Sequence, residues 1–226
     1  MREKCSATVA IIHTIKGGKY ANLIGERLKK RGISPFVAPW THFFPLSAEE
    51  EYPPWKLIHL RIGSLNSTFN LIRYLETRGY RLVNNAFCIE HTSNKFLGVV
   101  MARKAGLLTP KTYLLNKACD HHKYIDSILS DINFPVVIKP VRSSGGVDVY
   151  RVHTCSDLLD IVEAMLTKYG HIMLQEFINY DKILRVVLIG DEIVGAAYDV
   201  PKRSWKATVC LNPHVKPYRI NEELVD

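Results

Sequence analysis

From residue 7 to residue 84, apolar runs of strand length alternate with stretches of helical period. That alternation restricts the first part of the chain to a parallel sheet covered by helices. Residues 7–13 (A-T-V-A-I-I-H) read as a buried strand. After the Gly17-Gly18 turn, a helix over about 19–31 carries Ala21, Leu23, Ile24 and Leu28, with Gly32 as its stop. A second strand near 34–38 runs into a loop holding Pro39, Pro45, Pro53 and Pro54, and residues 56–61 form a third strand. A helix over about 67–78 places Phe69, Ile72 and Leu75 on one face and stops at Gly79, before a last strand at 81–84. A dinucleotide fingerprint needs G-x-G-x-x-G directly after the first strand. Gly17-Gly18 come late and alone, so hydride transfer is a poor fit.

The second half changes character. Thr92 or Ser93 is placed to cap a helix reaching about Lys104, with Phe96, Leu97, Val100 and Met101 inward and Gly106 at its end. Pro110 introduces a strand at 112–115, and a polar helix near 119–130 precedes the strand 135–139. A loop, Ser143-Ser144-Gly145-Gly146, leads to a strand at 147–152, and Ser156 opens a helix with Leu159, Val162 and Leu166. Strands follow at 171–178, 184–189 and 193–198.

Composition removes several classes. The 226 residues have room for one large or two small cores, and 47% hydrophobic against 23% charged residues describes an ordered globular chain. The longest apolar runs are far shorter than the roughly 18 residues of a membrane helix, and the N-terminus lacks a cleavage site. Cys5, Cys88, Cys119, Cys155 and Cys210 are widely spaced with no C-x-x-C, which fits a reducing, cytoplasmic protein. His121 and His122 are adjacent, so on a helix they point apart and make a poor metal pair. The net charge of +8 raises nucleic acid as a partner. The densest basic run, at 27–31, sits where cations favour a helix C-terminus, however, and no RNA-binding aromatic signature or zinc-finger spacing accompanies it. A polyanionic small molecule suits the charge better.

Lys139 ends an apolar strand, and Ser143, Ser144, Gly145 and Gly146 follow within a few residues. Glycines let backbone N–H groups approach phosphate oxygens, serines add hydroxyl donors and the lysine adds charge. Taken alone, a Ser/Gly hairpin is equally an ordinary turn.

Four blocks around that loop resemble the ATP-grasp superfamily. Asn94-Lys95 opens a helix leading to G-L-L-T-P-K-T at 106–112, similar to the family's "DK…GIPVPKT". F-P-V-V-I-K-P at 134–140 resembles its "FPVVIKP" strand, L-Q-E-F-I at 174–178 its "QEYI" hinge, and R-V-V-L-I-G-D at 185–191 its "R-x-x-V-x-G-D" strand. Arg61-Ile62-Gly63 and Val83-Asn84 are similar to the N-terminal domain of the RimK-like branch, whose members join amino acids to a carboxylate.

The resemblance implies an α/β protein in three parts. These are a Rossmann-like domain over 1–88, a small grasp subdomain over 89–174, and the start of a large grasp subdomain over 175–226. It implies an ATP-dependent carboxylate–amine ligase working through an acyl-phosphate, with a protein or small-molecule acid and an amino acid as substrates. Lys95 and Lys139 would neutralise phosphates, and the loop Ser143, Ser144, Gly145, Gly146 would close over them. Backbone groups of Glu176 and Ile178, with Gln175 and Phe177 beside them, would hold the adenine, and Asp181 the ribose. Arg185 would serve the reacting phosphoryl or acyl-phosphate, and Arg61 and Lys206 the substrate. Asp181 is equally an ordinary loop residue, and Arg185 and Arg61 can each be structural.

The chain also departs from the family. Ile183-Leu184-Arg185 stands where Asp-Ile-Arg is usual, and K-A-T-V-C-L-N-P at 206–213 replaces the usual polar and glycine-rich stretch. The resemblance places the magnesium ligands beyond residue 226 and implies an incomplete large subdomain with an exposed apolar edge, prone to homo-oligomerisation. A non-catalytic ATP-binding module or inactive fragment is the alternative reading.

Overall fold

A computed structural model describes residues 8–62, 65–200, 204–206 and 215–220. Cys5, Cys210, Gly63 and the departing segment at 207–213 lie outside the described residues. The chain forms two compact units, Met1–Ser93 and Asn94–Asp226.

The first unit is a parallel sheet of β1 (Val9–His13), β2 (Pro35–Pro39), β3 (Leu57–Arg61) and β4 (Leu82–Val83), in the order β2-β1-β3-β4. Its helices are α1 (Gly18–Lys29), α2 (Leu65–Thr77) and α3 (Ala86–Ser93). Ala10, Ile12, Ile58 and Leu60 from the strands meet Leu71, Ile72 and Leu75 of α2 in one core, closed by Phe43 and Trp55 from the proline-rich loop. Each fully buried side chain of this kind contributes about 1.5–3 kcal/mol. Leu23, by contrast, is 51% exposed. The buried residues of α1 are instead Ala21 and Gly25, one turn apart. A Cβ at Gly25 would stand 3.0 Å from Val37 Cγ2, so α1 packs closely on β2 through its small residues.

The second unit is built on an antiparallel sheet of β5 (Thr112–Asn116), β6 (Val136–Pro140), β7 (Tyr150–Val152) and β8 (His171–Glu176), in the order β5-β8-β6-β7. Its helices are α4 (Lys95–Lys104), α5 (His121–Leu129) and α6 (Cys155–Tyr169). One face of the sheet, with Leu115, Val136, Ile138, Val152, Ile172 and Leu174, packs with Ile125 and Ile128 of α5 and Leu158, Val162, Met165 and Leu166 of α6. Beyond it, β9 (Ile183–Ile189) and β10 (Glu192–Asp199) form a hairpin with β11 (Val215–Pro217) on the far side of β10. Val187, Leu188, Ile189 and Val194 of that hairpin are more than half exposed. No helix of the described residues is long and apolar enough to cross a membrane.

Several boundaries differ from those the sequence suggests, each for a local reason. The hydroxyls of Thr92 and Ser93 donate back to Cys88 O and Glu90 O inside α3, so neither caps the next helix. Asn94 does so instead, its Oδ1 accepting from the N–H groups of Phe96 and Leu97 at 3.1 Å. Val100 and Met101 are exposed, and no residue of α4 is buried. The strand expected from 147 begins only at Tyr150, because Gly145, Gly146 and Asp148 have φ of 65°, 75° and 51°, outside the pleated region. Thr154, not Ser156, starts α6, accepting from Asp157 N–H.

Candidate functional site

Strand alternation decides which side chains of the second unit face away from its core. Thr112 of β5, Gln175 of β8 and Val137 of β6 stand opposite one another across the sheet. Directly paired residues share a face, and Lys139, two residues on from Val137, shares it too. The other face belongs to α5 and α6, so this one opens into a cleft of about 400 Å³.

Two lysines enter the cleft from different elements. Lys95 is the first residue of α4, and its backbone N–H donates to Val141 O at 3.0 Å, tying the helix start to the segment after β6. Its Nζ donates to Ser143 O at 2.6 Å and Ser143 Oγ at 3.0 Å. Lys139 Nζ donates to Gln175 Oε1 at 2.6 Å. Burial, and then the Lys95 charge, lowers the Lys139 ammonium to about 8. Burial also lowers Lys95. Both ammonium groups rest on neutral oxygens, an arrangement that leaves positive charge for an incoming anion.

The loop over these lysines turns through Gly145 and Gly146, whose positive φ suits glycine. Its far end is anchored by Asp148, which accepts from Lys168 Nζ at 2.6 Å and from the hydroxyl of Tyr169. Those two bonds hold the Asp148 carboxyl below its usual range, the lysine contributing most. Across the cleft, Lys206 Nζ donates to Gly146 O at 3.1 Å.

The remaining wall follows β8. Glu176, Phe177, Ile178 and Tyr180 line it with Trp205. The Glu176 carboxylate is turned to the Lys111 N–H at 3.1 Å, and its own N–H donates to Lys111 O at 2.9 Å. Tyr180 donates to Trp205 O. The Arg151 guanidinium, on β7 opposite Val137, lies 5.1 Å from the Phe177 ring and 5.2 Å from that of Trp205.

Of the residues named from sequence, Lys95, Lys139, Ser143, Ser144, Gly145, Gly146, Gln175, Glu176, Phe177, Ile178 and Lys206 line one cleft. Asp181 lies outside that lining, its side chain 88% exposed. Arg185 also lies outside it, exposed on β9 opposite Ala197. Arg61 ends β3 in the first unit. Tyr180, Arg151 and Trp205 were not singled out from sequence. They come from three separate segments, and no spacing rule joins them. Asp199, at the end of β10, is fully buried, and among the described residues neither carboxylate oxygen has a hydrogen-bond partner. Burial raises the Tyr180 hydroxyl, and the Asp199 charge adds to that against the opposing effect of Arg151. Among the described residues, no three His, Cys, Asp or Glu side chains converge as a metal cradle.

Comparison with known proteins identifies the family and the fold. The RimK-like ATP-grasp domain matches residues 92–226. The chain is 31% identical over 225 residues to an alpha-aminoadipate–LysW ligase, LysX, of Sulfurisphaera tokodaii, covering 96% of this chain and 78% of that protein. It is 24% identical over 162 residues to a coenzyme gamma-F420-2:alpha-L-glutamate ligase of Methanococcus maripaludis, where the match spans 70% of this chain but only 55% of the relative. The fold is similar to that of D-cycloserine synthetase DcsG, with a TM-score of 0.72 at 13% identity over 96% of this chain and 76% of that one. It is also similar to a RimK domain ATP-grasp protein from Sphaerobacter thermophilus, with a TM-score of 0.66 at 19% identity over 83% and 71%. On the strength of the domain match and the LysX relative, this chain belongs to the RimK-like ATP-grasp family.

Proposed function

We propose that the chain binds ATP in the β5–β8–β6 cleft and uses it to activate a carboxylate for attack by an amine. The observation that carries this reading is that Lys95 and Lys206 hold the Ser143–Gly146 loop while Lys139 lines the same cleft, which is walled by Phe177, Ile178 and Trp205. Bound ATP would supply the phosphoryl group that turns a carboxylate into an acyl-phosphate. The chain's contribution is positioning and charge neutralisation, which dominate phosphoryl transfer. Lys95 and Lys139 exchange their neutral oxygen partners for phosphate oxygens, and the loop's backbone N–H groups turn toward the same charge. The hinge backbone at Glu176 and Ile178, with Gln175 and Phe177 beside it, meets the adenine, and Asp181 meets the ribose. Arg185, on β9 outside the cleft lining, would serve the reacting acyl-phosphate, Lys206 would contact substrate in this cleft, and Arg61 would separately offer a carboxylate contact at the end of β3. Magnesium, when bound, would add charge neutralisation at the transferring phosphoryl group; among the described residues no acidic cluster is formed to hold it.

The relatives' names pair alpha-aminoadipate with LysW, and L-glutamate with a coenzyme. We therefore assign an amino acid and a carboxylate-bearing acceptor, protein or small molecule, as the substrate class, and the cytoplasm as the compartment. Cys88, Cys119 and Cys155 are free thiols, consistent with a reducing location. The exposed β9–β10 hairpin is suited to self-association.

The test is to incubate the chain with ATP, magnesium and a panel of acids and amino acids, following ADP and the condensed product by mass spectrometry. ADP formation that requires both an acid and an amine supports ligation. ATP binding with no turnover across the panel identifies a nucleotide-binding module instead.

A further inference from the structure

The sheet behind the cleft carries a directional hydrogen-bond chain that ends on its most buried cation. Lys139 Nζ donates to Gln175 Oε1 at 2.6 Å, Gln175 Nε2 donates to Thr112 Oγ1 at 2.7 Å, and Thr112 Oγ1 donates to Pro110 O at 2.9 Å. Both ends of this chain fix its polarity. An ammonium can only donate, and a carbonyl oxygen can only accept. The one hydroxyl proton of Thr112 is committed to Pro110, so toward Gln175 the hydroxyl must accept. That demands the amide NH2 on the Thr112 side and leaves the amide oxygen for Lys139. Gln175 is only 8% exposed, so water does not readily replace either partner.

We propose that Thr112 is a positioning residue for nucleotide binding. Its hydroxyl locks the Gln175 amide in the one orientation that presents an oxygen to Lys139, and thereby holds the ammonium in the cleft. The proposal rests on the ATP reading for its consequence but not for its geometry. Without the hydroxyl the amide is free to turn its NH2 toward Lys139, placing donor against donor. The protonated form then loses its acceptor while keeping its burial and the Lys95 repulsion, so the lysine gives up its proton at lower pH.

The other charges near this face are engaged elsewhere. The Glu176 carboxylate faces the Lys111 N–H, Lys111 Nζ binds Asp131, and Arg151 stacks on Phe177 and Trp205. Lys206 donates to Gly146 O. Among the described residues, Lys95 on α4 is the one charge acting on Lys139, so Gln175 is the partner whose orientation matters.

The experiment compares the full chain with Thr112→Val, which keeps the shape but not the hydroxyl, and with Thr112→Ser, which restores it. Thr112→Ala serves if the γ-methyl packs badly. The first readout needs no nucleotide: the carbon-13 shift of Lys139 Cε is followed from pH 6 to 11. The midpoint, near 8 in the unaltered chain, is expected to fall by about one pH unit in the valine or alanine variant and to return with serine, as for loss of one hydrogen bond to a charged group. The second readout is ATP affinity by calorimetry across the same range, in which the pH at which affinity is lost moves down with the lysine midpoint. A Lys139 midpoint unchanged in both hydroxyl-free variants, or lowered equally in Thr112→Ser, overturns the proposal. If the unaltered chain fails to bind ATP, the functional reading falls, and the lysine titration still decides the role of Thr112.

Discussion

Replacing Lys139 by methionine removes a charge that the second unit holds against its own hydration, so its effect on stability has a definite pH dependence. In the folded chain, burial and then Lys95 bring this lysine from 10.5 to about 8. That difference corresponds to about 3 kcal/mol disfavouring the charged form. Below pH 8 the lysine is charged both folded and unfolded, and the full cost is present. Between 8 and 10.5 the unfolded chain binds more protons than the folded one, so stability rises with pH. Above 10.5 the cost is gone. The methionine variant carries no such cost at any pH. It leaves Gln175 Oε1 without its donor, a loss of about 1–3 kcal/mol that is largely independent of pH. The stability of the variant relative to the unaltered chain should therefore be highest near pH 7 and fall by about 3 kcal/mol by pH 10.5. Urea denaturation of both proteins at pH 7, 8, 9 and 10 measures this directly. A difference in stability that stays constant across the range refutes the reasoning.

Other outcomes follow from the same structure. Leu166, 2% exposed between α6 and the sheet, should cost about 2–5 kcal/mol when replaced by alanine, measured by urea denaturation at neutral pH. The amides of residues 141–147 should exchange faster with deuterium than those of β6 in the free chain and slow down when ATP is added. Equal exchange with and without ATP would argue against closure over phosphates.

The sequence was most informative where one element dictates its own geometry. The V-V-I-K strand at 136–139 alternates core and cleft without help from elsewhere, so Lys139 and the small-residue loop after it could be placed from the text alone. The Gln175–Ile178 block was legible through its likeness to the ATP-grasp hinge strand, not from its own pattern. Features depending on distant partners were not. The Phe177–Arg151–Trp205 stack draws on the end of β8, on β7 and on the segment after β10. The Thr112–Gln175 contact exists only because β5 pairs with β8 in that register. Small residues misled in a different way. The pattern named Ala21, Leu23, Ile24 and Leu28 on α1; Ala21 is buried but Leu23 is exposed, and Gly25 permits the close approach to β2. The cap of α4 was misplaced by one or two residues because α3 extends to Ser93 and consumes the hydroxyls of Thr92 and Ser93.

The central claim is that Lys95 and Lys139 form an ATP-phosphate site, and calorimetric titration of ATP tests it most directly. The titration is made into the unaltered chain, Lys95→Ala, Lys139→Ala and, as a control on α5 outside the cleft lining, His121→Ala. The account predicts saturable ATP binding, weakened in each lysine variant by at least ~1.5 kcal/mol, or more than about tenfold, and unchanged in His121→Ala. ATP affinity that is the same in both lysine variants as in the unaltered chain would contradict it.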